Sequence, residues 1–89
     1  MPSANIALAK WVGLRCRVQI EGQAAGCLVD LRDRANDPAT SLTHARPVAN
    51  DGTAALVVTD DGREGSAAIL VLVDETGTIL DKMAVTVGE

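Results

Sequence analysis

The sequence predicts an all-β protein, a six- to seven-stranded antiparallel β-sandwich, and three observations predict it. Apolar and polar side chains alternate through residues 10–32, which indicates strands with one buried face. Turn motifs that contain Gly recur at residues 22–26, 50–52, 61–65 and 76–77, at the short intervals typical of sandwiches. Apolar residues do not recur with helical period over any long stretch.

The first thirty residues predict a β-hairpin with its loop at residues 21–26. Its inward-facing residues would be Val12, Leu14, Cys16, Val18 and Ile20 on one strand and Cys27, Val29 and Leu31 on the other. Asp30 and Arg32 would face solvent, as would a mixed-charge row of Arg15, Arg17, Gln19 and Glu21. In this register Cys16 and Cys27 are on the order of 13 Å apart, whereas a disulfide needs Cα atoms within about 7 Å. We therefore predict two free, buried thiols.

A polar segment at residues 33–39, which contains an Asp-Pro pair, predicts an exposed loop after this hairpin. Residues 40–46 alternate poorly and precede Pro47, which cannot donate to a ladder, so they predict a weak edge strand. The last predicted strand, residues 78–87, changes parity near Asp81 and Lys82. A β-bulge or kink there would reconcile its two halves.

Two further strands, residues 53–59 and 66–73, are apolar on both faces. A two-layer sandwich covers only one face of each sheet, so the second apolar face requires another cover. The residues expected to contact a partner are Ala55, Val57, Ala68, Leu70 and Leu72. These strands predict a surface that binds another protein or a second copy of the chain.

Length and charge restrict the possible functions. With 89 residues we expect one sandwich domain over residues 1–89, in which residues 1–9 form a loosely ordered arm or an extra edge strand. The net charge of -4 and the 1% aromatic content argue against nucleic acid as a partner. The longest apolar run, residues 67–73, is too short to cross a bilayer, so membrane insertion is not expected. The N-terminal residues do not resemble a secretory signal, which predicts a cytoplasmic protein and leaves signal-less export or virion assembly open.

Candidate catalytic groups are few. His44 is the only histidine, and a triad would have to join it to Ser41 and an acid such as Asp37. Ser41 and His44 have opposite parity on a strand, so their side chains would diverge. The two predicted inward thiols have no second base nearby. We therefore expect neither enzymatic activity nor a cofactor.

Calcium is the one metal for which the sequence offers candidate ligands. Asp60, Asp61 and Glu64 lie in a turn before the strand of residues 66–73. Asp74 and Glu75 follow that strand, so they belong to the opposite end of the sandwich. No EF-hand-like loop is present, and acidic turns are ordinarily a solvated rim.

The segment VQIEGQAAGCLVDL at residues 18–31, followed by NDGTAAL at residues 50–56, resembles small immunoglobulin-like and transthyretin-like domains. The carboxypeptidase regulatory-like domain is the most similar of these. The resemblance implies an immunoglobulin-like or transthyretin-like sandwich. The hydroxyisourate hydrolases of the transthyretin-like class are set aside, because this chain lacks their C-terminal Tyr-Arg-Gly-Ser and has one histidine.

These observations favour a non-catalytic interaction or assembly module that presents a β-edge or an apolar sheet face, including to copies of itself as a homo-oligomer. One alternative is a carrier for a small apolar molecule, for which the aliphatic, alanine-rich interior would leave room. Another is a calcium-stabilised β module. Trp11, the only aromatic residue, is expected to cap an open end of the core.

Overall fold

A computed structural model of the chain describes residues 4–33, 42–43 and 45–89. Its strands are β1 (Ala4–Val12), β2 (Arg15–Gly22), β3 (Leu28–Asp33), β4 (Arg46–Pro47), β5 (Thr53–Val57), β6 (Ala67–Val73) and β7 (Ile79–Thr86), with one 3-10 turn at Asp61–Arg63. They form a three-stranded sheet in the order β1-β2-β5 and a four-stranded sheet in the order β4-β3-β6-β7. All pairings are antiparallel. The predicted all-β class, with seven strands in a β-sandwich arrangement, is confirmed.

The core lies between the two sheets and is almost entirely aliphatic. Its residues without exposed surface include Cys16, Val18, Val29, Leu31, Leu56, Ala68, Leu70, Leu72 and Val87. Every second residue of β2, β5 and β6 points into this core, which is the alternation expected of strands with one buried face. Trp11, Leu14 and Met83 are partly buried and pack against it.

The predicted hairpin between the second and third strands is wrong. β2 pairs with β1 and β5, whereas β3 belongs to the other sheet. A two-residue turn at Gly13 and Leu14 reverses the chain, with Gly13 in the left-handed region at φ 61°. Trp11 pairs with Cys16, so in the part of β1 after residue 7, where the register shifts, inward residues have odd numbers, whereas in β2 they have even numbers. Val12 therefore points outward and is 74% exposed.

The segment between β2 and β3 carries the chain from one sheet to the other. It contains a turn in which the Cys27 amide donates to the Ala24 carbonyl at 3.0 Å. Both cysteines are free and buried, as predicted. The ladder register used to separate them was wrong, because Cys16 belongs to the first sheet and Cys27 immediately precedes β3 of the second.

Two bulges and one cross-sheet hydrogen bond shape the side where β1 and β7 meet. Ala7 is the extra residue in β1 and Leu80 the extra residue in β7, one position before the predicted break at Asp81 and Lys82. The Ile6 amide donates to Asp81 Oδ2 at 2.8 Å, which joins the edge strands of the two sheets.

Two carboxylates of β3 are buried although the sequence predicts both to be exposed, Asp30 on the solvent face of a strand and Asp33 in the polar loop of residues 33–39. Asp30, expected to face solvent, is 5% exposed, and its Oδ2 lies 3.5 Å from Arg32 Nε. Asp33 is 1% exposed and accepts a hydrogen bond from Arg63 Nη1 at 2.8 Å. Arg63 belongs to the 3-10 turn that follows β5, so this ion pair connects the β5–β6 segment to β3.

The sequence predicts a weak edge strand over residues 40–46, before Pro47. The described residues form only the two-residue strand β4 in this region, which pairs with Leu28 and Val29 of β3. Most of the predicted polar loop, residues 34–39, lies outside the described residues, as do residues 40, 41 and 44 of the predicted weak strand.

Candidate functional site

The structure places three of the five predicted partner-binding residues in the core. Ala68, Leu70 and Leu72 are 0% exposed, so their assignment to a partner-binding face was wrong. Because β6 is apolar on both faces, its own sequence cannot indicate which face is inside. The pairing of Leu31 with Leu70 decides it, since Leu31 is itself a core residue. The alternate residues Val71 and Val73 are also buried, at 2% and 7% exposed, so this strand offers little open apolar surface.

The other two predicted residues lie on open surface. Ala54 and Leu56 of β5 point into the core, whereas Ala55 and Val57 point outward and are exposed. Val57 is 46% exposed. The outer face of β5 is thus the part of the predicted apolar surface that remains accessible.

Arginine side chains surround this outer face of β5. Arg15 lies directly opposite Val57 and Arg17 directly opposite Ala55 in the β2–β5 ladder, so all four share one sheet face. Together with Arg46 of β4 they line a groove of about 720 Å³. None of the three arginines forms an ion pair with another residue in the described part of the chain.

One acidic side chain, Asp51, lies in the groove. Asp51 Oδ1 accepts hydrogen bonds from the amide and the hydroxyl of Thr53, at 3.1 and 2.7 Å. These bonds lower the pKa of Asp51 below its usual value, and Arg17 adds a smaller effect in the same direction. With three arginines and one carboxylate, the groove is positive on a chain whose net charge is -4.

Among the described residues, the β5 edge has no strand paired to it, and it differs from the other three sheet edges. Natural edges are protected by bulges, prolines, charged residues or very short strands. β1 has a bulge at Ala7, β7 has one at Leu80, and β4 has two residues, one of them Pro47. β5 is five residues long and contains no proline, no charged residue and no register shift.

The ladder also shows which backbone groups of β5 point away from β2. The Ile20 amide donates to the Gly52 carbonyl at 2.7 Å, and the Val58 amide donates to the Leu14 carbonyl at 2.9 Å. Because antiparallel strands alternate their bonding direction, even-numbered residues of β5 bond to β2 and odd-numbered ones face the open edge. The Thr53 carbonyl accepts from the Ala49 amide at 2.8 Å. The N–H and C=O groups of Ala55 and Val57 have no backbone partner in the described part of the chain.

The calcium candidates belong to a local turn structure. Asp60 begins the 3-10 turn, where its Oδ1 accepts from the Gly62 amide at 3.0 Å and its Oδ2 lies 3.8 Å from Arg63 Nε. Asp61 and Glu64 are exposed. Among the described residues, no three His, Cys, Asp or Glu side chains are grouped so that they could hold a metal ion.

The two thiols are poor nucleophiles at neutral pH. Burial raises the pKa of Cys16 to about 11. The pKa of Cys27 is raised by burial and, to a smaller extent, by the negative charges of Asp74 and Glu75. The side chains considered for a triad, Asp37, Ser41 and His44, lie outside the described residues.

A second surface cavity, of about 450 Å³, lies beside Trp11 between β1 and β7, with Met83 and Val85 among its lining residues. Trp11 Nε1 is buried and has no hydrogen-bond partner among the residues that the structure describes. Because this nitrogen is buried, it cannot serve as an open donor to a molecule in this cavity. The cavity therefore lacks an accessible polar group of Trp11 that would orient a ligand.

No protein family matches this chain, and no curated protein matches it at a significant level. The structure contains no helix of sufficient length and apolarity to cross a lipid bilayer within the described ranges. The candidate site is therefore defined by its own geometry: the open edge of β5 and the arginine-lined groove beside it. The sequence pattern indicated Ala55 and Val57, but it did not indicate Arg46 or the approach of Arg15 and Arg17 to them. The signal available in the sequence was the absence of proline and charge from residues 53–57.

Proposed function

We propose that this protein is a non-catalytic interaction module that binds a protein partner through the free edge of β5. The observation that carries the proposal is that β5 has none of the protective features found at the other three edges of the described sheets. Exposed edges of this kind accept an extended segment of a partner as an additional strand.

The strand order supports an immunoglobulin-like arrangement. In constant-type immunoglobulin sandwiches the first, second, fourth and fifth strands share one sheet, and the third, sixth and seventh form the other. The same partition holds here for every strand except the short β4, which lies beside β3. In this interpretation the docking edge is the fifth strand of the sandwich.

The open backbone groups of Ala55 and Val57 supply the binding energy. An added strand would form about four hydrogen bonds with their two N–H and two C=O groups, each contributing roughly 1 kcal/mol net. It would also cover the exposed side chain of Val57. These contributions favour an added strand, and contacts of its side chains must supply the rest of the affinity, because association itself costs at least about 4 kcal/mol.

A different protein is favoured over a second copy of this chain. Two copies joined through β5 would place the groove arginines Arg15, Arg17 and Arg46 of both copies along one continuous sheet face. Like charges that share one sheet face repel each other. The charge of the groove therefore opposes self-association through this edge.

A photocrosslinking amino acid placed at Val57 tests the proposal in the cells that produce the protein. We expect an adduct of one defined mass at Val57 and none at Lys82, an exposed control position on β7. The adduct should disappear when Ala55→Pro removes one edge amide. Equal adducts at both positions would contradict docking at β5, and a mass of twice 9.2 kDa would show self-association instead.

A further inference from the structure

We infer that the segment bound by β5 is an extended strand of another protein with acidic side chains at alternate positions. This inference rests on the proposed function and adds the chemical class of the partner. It is argued from the placement of Arg15, Arg17 and Arg46 around an open edge whose own side chains are small.

The geometry brings carboxylates of an added strand within reach of the arginines. A strand paired with β5 lies about 10 Å from β2 across the sheet, and its alternate side chains stand on the same outer face as Ala55 and Val57. The methyl group of Ala55 leaves the path between the two strands open. An arginine from β2 and an acidic side chain from the added strand can therefore meet above β5.

Unpaired positive charge in the groove favours such a partner. Arg17 lies opposite Lys10 on β1 and opposite Ala55 on β5, so two like charges face each other with no acid between them in the ladder. Asp51 is the one acidic residue of the groove, and its carboxylate already accepts two hydrogen bonds from Thr53. Carboxylates on an incoming strand would pair with the arginines and relieve the repulsion.

Other polyanions fit the site less well. Single-stranded nucleic acid is bound through aromatic stacking platforms, and the only aromatic residue of this chain is Trp11, which is partly buried against the core. A lipid surface cannot satisfy the open N–H and C=O groups of Ala55 and Val57. A peptide strand satisfies the backbone groups and the arginines together.

The test uses three fluorescein-labelled nine-residue peptides and the full chain. The first has Glu at alternate positions with Val or Thr between them, the second has Gln in place of each Glu, and the third contains the residues of the first in an order that breaks the alternation. Binding is measured by fluorescence anisotropy. Amide hydrogen exchange of Ala55 and Val57, followed by NMR, reports use of the edge without any substitution.

We expect the alternating Glu peptide to bind at least about tenfold more tightly than the other two peptides. It should slow exchange of the Ala55 and Val57 amides about tenfold or more. Arg17→Glu should weaken its binding about tenfold, whereas Lys82→Glu, the same charge change on the other sheet, should alter it less than twofold.

The alternative outcomes separate this inference from the proposed function. Equal binding of the Gln and Glu peptides, with protection of the Ala55 amide, overturns an acidic partner and retains docking at the edge. If none of the peptides binds but Val57 still forms an adduct with a partner, the inference of an acidic strand is overturned and docking at the β5 edge is retained. A further outcome is that polyuridylate, or vesicles with one quarter phosphatidylserine, bind in a way that depends on Arg17 and leaves the Ala55 and Val57 amides unprotected. That result overturns both the acidic strand and docking at the β5 edge.

Discussion

Leu70 and Ile69 are neighbours on β6, and truncating each of them tests which face of this strand forms the core. Leu70 is 0% exposed and pairs with the core residue Leu31 and with Met83. Ile69 is only partly buried and pairs with Arg32 and Ala84 on the outer face. The two sites belong to one strand, so their local backbone environments are closely matched.

The expected magnitudes differ enough to decide the question. Leu70→Ala removes a fully buried side chain and should cost about 3 kcal/mol, within the range for Leu→Ala substitutions in cores. A chain of 89 residues is expected to have a free energy of unfolding of about 4–13 kcal/mol. The substitution should therefore lower the Tm by roughly 12–24 °C. Ile69→Ala removes less buried area and should cost about 1 kcal/mol.

Urea denaturation followed by fluorescence of Trp11, the single tryptophan, measures both values with an intrinsic probe of the core. Circular dichroism of each variant before denaturation verifies that it is folded. Equal losses of stability for the two variants, or a cost below about 1 kcal/mol for Leu70→Ala, would refute the assignment of Leu70 to the core.

Three further predictions concern stability. Arg63→Ala should lower the free energy of unfolding by about 1–3 kcal/mol, because it removes one hydrogen-bonded ion-pair partner, at 2.8 Å, of the buried Asp33 carboxylate. A loss below about 0.5 kcal/mol in urea denaturation, in the range of an exposed ion pair, would contradict this. Gly52→Ala should lower the free energy of unfolding more than Gly65→Ala. Both glycines have positive φ, but only at Gly52 would a Cβ lie 2.9 Å from a carbonyl oxygen of β2. Equal urea midpoints for the two variants would contradict a cost from this contact. Finally, the pKa of Cys16 is about 11 in the folded protein and 9.0 in its usual state, so the thiol of the unfolded chain loses its proton at lower pH. The free energy of unfolding should therefore fall by about 2–3 kcal/mol between pH 9 and pH 11. The same decline in a Cys16→Ala variant would assign it to other groups.

The alternation in residues 15–21 predicted the orientation of β2 correctly. Cys16, Val18 and Ile20 are buried, and the charged residues between them are exposed. This inference succeeded because side-chain direction within a strand follows from period two, without reference to any other strand. The burial of Cys16 was predictable for the same reason, whereas the separation of the two free thiols results from their places in different sheets, which the alternation does not indicate.

Pairing partners were not predictable in this way. The turn at Gly13 reverses the chain inside a stretch whose apolar residues continue to alternate, so the pattern is equally compatible with one long strand. The segment after Glu21 crosses to the other sheet, although its Gly residues are also typical of a hairpin loop. Both arrangements satisfy the local pattern, and only contacts between distant strands distinguish them.

The sequence by itself determined that this protein is all-β and that its core is aliphatic, because these properties depend on residue type and on a two-residue period. Tertiary structure alone decided that Leu70 faces the core while Ala55 and Val57 remain open, because β5 and β6 are apolar on both faces and only their neighbours give those faces different environments. It also brought Arg46 to the groove that Arg15 and Arg17 line. These three arginines lie on two strands of different sheets, and only the packing of those sheets brings them together.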